Sequence, residues 1–153
     1  GYPSVPIAIN VSSLHFQQQN FLESIQSILE KNNTSAHAFE IEVTERTVMN
    51  SAAETVSKLV KLKKLGFKLS IDDFGTGYSS LSYLVRFPLD ILKIDRSFIQ
   101  QICSLDEKQA VVDAIIQMSH RLKMKVVAEG VETEQPWICG TCASWLWKLI
   151  DRN

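Results

Sequence analysis

Five short runs of apolar and β-branched residues recur along the chain, and polar residues bound each of them. They are Val5–Val11, Phe39–Thr44, Lys68–Ile71, Ile91–Ile94 and Lys125–Ala128. Nearly continuous apolar runs of this length are typical of strands that are buried on both faces of a parallel sheet. The pattern therefore predicts five strands.

The segments between these runs carry the periodicity of helices. Two of them place their apolar residues on one helical face: Phe21, Leu22, Ile25, Ile28 and Leu29, and then Val111, Ala114, Ile115, Met118 and Leu122. Gly66 follows Leu65, where a glycine is expected just beyond the end of a helix. Strands that alternate with helices predict an α/β fold built from right-handed βα units.

The composition changes abruptly after Gln135. All three tryptophans, and the pair Cys139 and Cys142, lie beyond that residue. We therefore predict a domain over residues 1–135 and an atypical tail over residues 136–153. The tail is either a C-terminal helix with an aromatic packing face or a stretch unrelated to the rest. The two cysteines have redox spacing, but no second pair for zinc and no strand pattern accompany them.

Length and charge narrow the class of protein. The chain has 153 residues, of which 45% are apolar and 22% charged, as expected of one globular domain. Sixteen basic residues are balanced by seventeen acidic ones, which argues against a partner such as duplex DNA or RNA. No apolar run approaches the roughly 18 residues of a membrane span. We expect a cytoplasmic protein, or a cytoplasmic domain of a larger one.

Polar residues stand at or just beyond the C-terminal end of every apolar run. They are Asn10, Glu42, Glu45, Asp72, Asp73, Lys93, Asp95, Glu129 and Glu132. In a parallel α/β barrel or open sheet these strand ends share one face, where ligands bind. Clustered carboxylates repel one another unless a cation lies among them or some are protonated. Since oxygen ligands suit hard divalent cations, the pattern predicts a metal site.

Each of these residues also has a purely structural interpretation. A single acid after a strand is most often a helix N-cap, and this holds for Asp95 and Glu132 taken alone. The pair Asp72 and Asp73 could begin a glycine-assisted turn. Lys93 is harder to explain in this way, because a lysine within an apolar run is rarely buried without a partner.

Several motifs resemble the EAL domain in order and spacing. They are Asn10-Val-Ser, Glu42-Val-Thr-Glu45, Asp72-Asp-Phe-Gly-Thr-Gly-Tyr-Ser-Ser-Leu81, Leu92-Lys-Ile-Asp95 and Ala128-Glu-Gly-Val-Glu132. EAL domains are bacterial phosphodiesterases that linearise cyclic di-GMP on a modified TIM barrel. The resemblance implies a partial, truncated TIM-like barrel of about five βα units and a metal-dependent phosphodiesterase activity that yields linear pGpG.

The resemblance also implies a role for each matching residue. The metal ligands fall on Asn10, Glu42, Asp72 and Glu129, with Asp73 beside the second of two Mg²⁺ or Mn²⁺ ions. Lys93 matches the active-site lysine. Glu45 matches the glutamate that holds the loop after Asp72. The resemblance also implies a homodimer contact through the Asp72–Tyr78 loop. Asp95 and Glu132 match further acids around the site.

The sequence departs from the family pattern in two places. No Glu-Ala-Leu precedes Asn10, so one metal ligand is lacking, and the tail stands where the last barrel strands should follow Glu132. We therefore expect impaired hydrolysis by the isolated chain. Three alternatives stay open: a catalytically inactive module that binds cyclic di-GMP or a protein, a non-functional remnant, and, more distantly, a metal-dependent lyase.

Overall fold

The computed structural model describes residues 6–49, 52–77, 81–101 and 106–130. Five strands are present: β1 Ile7–Asn10, β2 Phe39–Thr44, β3 Lys68–Phe74, β4 Ile91–Ile94 and β5 Lys125–Ala128. They form one sheet in the order β1-β2-β3-β4-β5. The pairs β1–β2 and β4–β5 are parallel, with Ile7 opposite Phe39 and Ile91 opposite Lys125. The five predicted strands are all found.

Helices occupy the segments between the strands. They are α1 Ser13–Gln17, α2 Phe21–Lys31, α3 Glu45–Met49, α4 Ala52–Leu65, α5 Leu81–Leu84, α6 Arg96–Gln101 and α7 Asp106–Arg121, with a 3-10 turn at Ala36–Ala38. The two helices predicted from apolar periodicity correspond to α2 and α7. Gly66 ends α4 as expected, because its positive φ of 105° allows the amides of Gly66 and Phe67 to bond back to Lys63 and Leu62.

The described residues divide into two compact units. The first contains β1, β2 and β3 as far as Ile71, together with residues 77–89; the second contains residues 72–76 and the chain from Asp90 onward. In the first unit Val43, Leu59, Leu62, Leu69 and Ile71 are buried. In the second, Leu92, Ile94, Val112 and Ile116 are buried. Each unit therefore has apolar residues from strands and helices in its own core.

Burial differs from the expectation at the first strand. All four residues of β1 are exposed, and Ile7 retains 61% of its accessible surface. Within the described part of the chain, β1 lies at the edge of the sheet and pairs with β2 alone. Ile9 and Phe21 line an apolar groove of about 640 Å³ beside this strand. Burial on both faces was therefore the wrong expectation for β1.

Lys58 of α4 is buried in the first unit. Its ammonium donates hydrogen bonds to the carbonyl oxygens of Phe16, at 2.9 Å, and Gln18, at 3.3 Å, and lies 3.0 Å from Glu54 Oε1. These carbonyls end α1, where the last helical carbonyls lack partners within the helix. Lys58 therefore joins α4 to the end of α1.

We expect Lys58→Met to lower the free energy of unfolding by about 1–3 kcal/mol, because it leaves the carbonyl of Phe16 buried without that donor. Urea denaturation measures the change. Lys61→Met on the exposed side of the same helix is the control and should leave the free energy of unfolding nearly unchanged. Equal midpoints for the two variants would contradict the assigned role of Lys58.

Candidate metal centre

Three carboxylates from two strands of the second unit lie close together. Asp72 and Asp73 lie near the C-terminal end of β3, and Glu129 follows β5 directly. One carboxylate oxygen from each of the three lies within 4.8 Å of the others. The amide of Glu129 donates to the carbonyl oxygen of Ile94, so the pairing of β4 and β5 extends to this residue. The sheet itself therefore sets the position of Glu129.

Lys93 in the middle of β4 provides the cation of this cluster. Its Nζ lies 2.6 Å from Glu129 Oε1 and 3.5 Å from Asp72 Oδ1. The neighbouring residues Leu92 and Ile94 are fully buried, and the Lys93 side chain retains only 15% of its accessible surface. The lysine thus forms ion pairs with two of the three carboxylates.

A tight turn follows Asp72. Asp73 has a positive φ of 54° and Gly75 one of 100°, in the left-handed region that few residues other than glycine adopt. The amide of Asp73 donates to Asp72 Oδ1 at 2.9 Å, and the hydroxyl of Thr76 donates to the carbonyl oxygen of Asp73 at 2.8 Å. These bonds hold the two acidic residues in one defined arrangement.

Asp73 experiences the charge of the whole cluster. Burial raises the pKa of its carboxyl first, and repulsion from Asp72, Asp95 and Glu129 raises this pKa further, while Lys93 acts in the opposite direction. One ammonium therefore does not neutralise the group. Because a hard divalent cation prefers carboxylate oxygens and would relieve this repulsion, the residues present fit such a cation.

This raised pKa has a consequence for stability in the absence of metal. A folded carboxyl whose pKa exceeds the ordinary value of 3.8 binds its proton more tightly than the unfolded chain does. Its contribution to stability is therefore complete below the unfolded pKa and is lost as the pH rises through the folded pKa. We expect metal-free Asp73→Asn to be more stable than the wild type at pH 7, by a few tenths of a kcal/mol since solvent screens exposed charges.

The difference should disappear as the pH falls below about 4, where Asp73 is protonated in both states. Thermal melts between pH 3 and pH 7 in the presence of a chelator measure it. Glu107→Gln on the exposed side of α7 is the control. A stability gain that is independent of pH would show that the charge of Asp73 is not its cause.

In the first unit, Asn10 ends β1, and Glu42 lies two residues before the end of the neighbouring strand β2. They are opposite one another in the parallel register of β1 and β2, and the amide of Val11 donates to the carbonyl oxygen of Glu42 at 2.9 Å. Glu42 retains 6% of its accessible surface, whereas Asn10 is exposed. The two oxygen donors therefore lie side by side at this edge, and their ligation of a metal stays a prediction.

Glu45 contacts the loop that follows β3. It begins α3, retains 2% of its accessible surface, and its Oε2 accepts a hydrogen bond of 3.3 Å from the amide of Gly77. A Cβ atom on Gly77 would lie 2.7 Å from Glu45 Oε1, so the two residues are in close contact. This contact suits a glutamate that holds the loop, the role that the family resemblance implies.

Asp95 occupies the position of a helix N-cap. Its Oδ1 accepts hydrogen bonds from the amide and the hydroxyl of Ser97, and the side-chain bond is the main reason why the pKa of Asp95 is lowered. Its charge still contributes to the raised pKa of Asp73. Glu132, Cys139 and Cys142 lie outside the described residues.

Sequence reasoning missed Phe98, whose ring contacts Gly75 in the turn after Asp73. The available signal was weak. Gly75 marks a position where another group approaches the backbone closely, but the spacing of apolar residues does not reveal which one.

Comparison with known proteins identifies the family. The EAL domain matches residues 2–138 of this chain. The chain belongs to the EAL domain family. A curated EAL relative, the cyclic di-GMP phosphodiesterase NbdA of Pseudomonas aeruginosa, is 44% identical over 135 residues, which are 88% of this chain and 17% of NbdA. The chain therefore spans less than a fifth of that relative.

Solved EAL structures resemble the fold closely. The PaMucR phosphodiesterase of Pseudomonas aeruginosa, in complex with c-di-GMP, superposes with a TM-score of 0.84 at 40% identity, over 94% of this chain and 56% of that one. The manganese and cy-diGMP complex of BlrP1 from Klebsiella pneumoniae gives a TM-score of 0.78 at 34% identity, over 95% of this chain and 36% of that one.

These similarities confirm the predicted family and the predicted α/β fold with a parallel sheet of EAL type. The boundary predicted between residues 135 and 136 lies outside the described residues, as does the tail. None of the helices in the described part of the chain is long and apolar enough to cross a membrane.

Proposed function

We propose that this chain carries the catalytic centre of a metal-dependent phosphodiesterase that hydrolyses cyclic di-GMP to linear pGpG. The cluster of Asp72, Asp73 and Glu129 with Lys93 among them carries the proposal. It is supported by the 44% identity to NbdA, a cyclic di-GMP phosphodiesterase, and by the similarity to EAL enzymes solved with this nucleotide.

The proposed metal ligands are Asn10, Glu42, Asp72, Asp73 and Glu129. Mg²⁺ or Mn²⁺ bound by Asp72, Asp73 and Glu129 would activate water and stabilise the negative charge that develops on the phosphoryl oxygens. In the reaction a water oxygen bonds to phosphorus, the bond to the 3′-oxygen breaks, and a proton passes to the leaving oxygen. The ammonium of Lys93 can donate a hydrogen bond to a phosphoryl oxygen or to the water. Glu45 keeps the loop in place through Gly77.

The wider assignments are also proposals. Dimerisation through the Asp72–Tyr78 loop would place the hydrogen bond between Glu45 and Gly77 close to a second copy of the chain. This dimerisation stays a prediction, and Tyr78 lies outside the described residues. A cytoplasmic location is also a proposal, and it rests on the family's role in signalling through an intracellular nucleotide.

A second candidate is a module that binds cyclic di-GMP without hydrolysing it. It is supported by the similarity to EAL structures solved in complex with this nucleotide, since those complexes concern binding and do not by themselves require turnover. A small displacement of a reacting group can lower the rate about 100-fold, so binding can persist where turnover is prevented.

One experiment separates these functions. The purified chain is incubated with Mn²⁺ and cyclic di-GMP, the nucleotides are separated chromatographically, and calorimetry measures binding in parallel. We expect pGpG to form slowly, only with metal, and not at all in Asp72→Asn. Binding without any pGpG would favour the binding module, whereas neither binding nor turnover would indicate a non-functional remnant.

A further inference from the structure

The first turn of α6 contacts the turn that follows Asp72 and Asp73. A Cβ atom on Gly75 would lie 2.7 Å from Cε2 and 2.9 Å from Cζ of Phe98, so the edge of this ring lies directly on the backbone of Gly75. Gly75 has a φ of 100°, and any side chain there would be strained as well as blocked by the ring. The ring therefore limits where this turn can move.

The same helical turn contacts the residue after Glu129. A Cβ atom on Gly130 would overlap Cβ of Arg96 and would lie 3.3 Å from Arg96 Cα. The backbone at Gly130 therefore lies directly against the start of α6. Arg96 and Phe98 are two residues apart, so one short segment contacts the backbone just after Asp73 and just after Glu129.

This segment is itself held firmly. Asp95 caps α6 by accepting a hydrogen bond of 2.9 Å from the amide of Ser97, and Ile99 retains 1% of its accessible surface. Lys108 of α7 places its Nζ 4.4 Å from the centroid of the Phe98 ring, in the range of a cation–π contact. The Phe98 ring is thus fixed between α7 and the backbone of Gly75.

We propose that Phe98 is a positioning residue for the metal centre, which it supports by packing on Gly75, while Arg96 does the same for Glu129 through Gly130. This inference rests on the proposed function. Asp72, Asp73 and Glu129 carry like charges within 4.8 Å and repel one another, so without metal they tend to separate. Because Phe98 and Arg96 contact the backbone at Gly75 and Gly130, α6 opposes this separation and keeps the carboxylate oxygens at a spacing that suits a cation. Residues that support metal ligands in this way typically change metal affinity 10–100-fold when replaced.

The test compares Phe98→Ala with Phe21→Ala, which removes the same ring from the buried side of the first unit. Mn²⁺ binding to the full chain is measured by calorimetry without nucleotide, and thermal melts are recorded for the same samples. We expect Phe98→Ala to weaken Mn²⁺ binding about 10- to 100-fold. Phe21→Ala should lower the melting temperature and leave Mn²⁺ affinity close to that of the wild type.

Phe98→Leu keeps an apolar side chain over Gly75 and provides a variant that folds if the alanine variant does not. It should recover most of the Mn²⁺ affinity. Equal affinities for the wild type, Phe98→Ala and Phe98→Leu would overturn the inference, as would the failure of the wild-type chain to bind Mn²⁺. Wild-type Mn²⁺ binding that is lost in Phe98→Ala, with no pGpG formed by either protein, would support the positioning role and reject the proposed phosphodiesterase activity.

Discussion

Asp72→Asn is expected to lower Mn²⁺ affinity and cyclic di-GMP hydrolysis by about 100-fold or more, because the change removes a charged oxygen from the centre of the carboxylate cluster and misplaces the ion. Asp72 Oδ1 lies 3.5 Å from Lys93 Nζ and accepts a hydrogen bond of 2.9 Å from the amide of Asp73, so the Asp72 side chain also helps to hold Lys93 and Asp73 in place. Calorimetric titration with Mn²⁺ and chromatographic detection of pGpG measure the two effects.

The matched control is Glu23→Gln, which removes one carboxylate from the exposed side of α2. It should change neither Mn²⁺ affinity nor turnover. Thermal melts should show that Asp72→Asn is folded, because strand-end residues at a ligand-binding face serve the site more than the core. A folded Asp72→Asn protein with wild-type turnover would contradict the assigned metal centre.

Lys93→Met is expected to destabilise the metal-free protein by about 1–3 kcal/mol. Breaking a fully buried ion pair costs about 3–5 kcal/mol, and the cost here is smaller because solvent still reaches the partners. Glu129 retains 31% of its side-chain surface and Asp72 retains 15%. Methionine keeps the apolar stem of the lysine but leaves both carboxylates without their cation.

Mn²⁺ should offset this loss. Because the variant no longer holds an ammonium among the carboxylates, we expect Mn²⁺ to raise its melting temperature by more than it raises that of the wild type. Turnover should nevertheless fall, since the hydrogen-bond donor proposed for a phosphoryl oxygen or the water is gone. Lys68→Met at the exposed N-terminal end of β3 is the control. A metal-free Lys93→Met protein as stable as the wild type would show that the two ion pairs contribute little.

Local sequence patterns were enough to locate the strands. The runs Ile91–Ile94 and Lys125–Ala128 coincide with β4 and β5, because apolar and β-branched residues dominate both runs, although Lys93 is charged and Val127 is 41% exposed. β3 continues to Phe74, three residues beyond its predicted end at Ile71. The reason is that Asp72 and Asp73 interrupt the apolar run although the chain stays in the sheet, so polarity was a poor guide to the strand end.

The local pattern of apolar residues does not distinguish edge strands from inner ones. Val5–Val11 has the same apolar character as the inner runs, yet β1 pairs within the described residues with β2 alone, and Ile7 is mostly exposed. Burial depends on which segments lie next to one another, and neighbours distant in sequence leave no mark on the local pattern. The order of the strands is a tertiary property for this reason.

The candidate site divides in the same way. The sequence by itself predicted one polar face at the strand ends, because strand C-termini of a parallel sheet share one face, and it grouped Asp72, Lys93 and Glu129 there with Asn10, Glu42 and the other strand-end residues. Only the tertiary structure decided that Lys93 pairs with both of these carboxylates and that Asp95 caps α6. It alone placed Phe98 against Gly75. Distances of a few ångströms between residues far apart in sequence arise from packing, which no local pattern encodes.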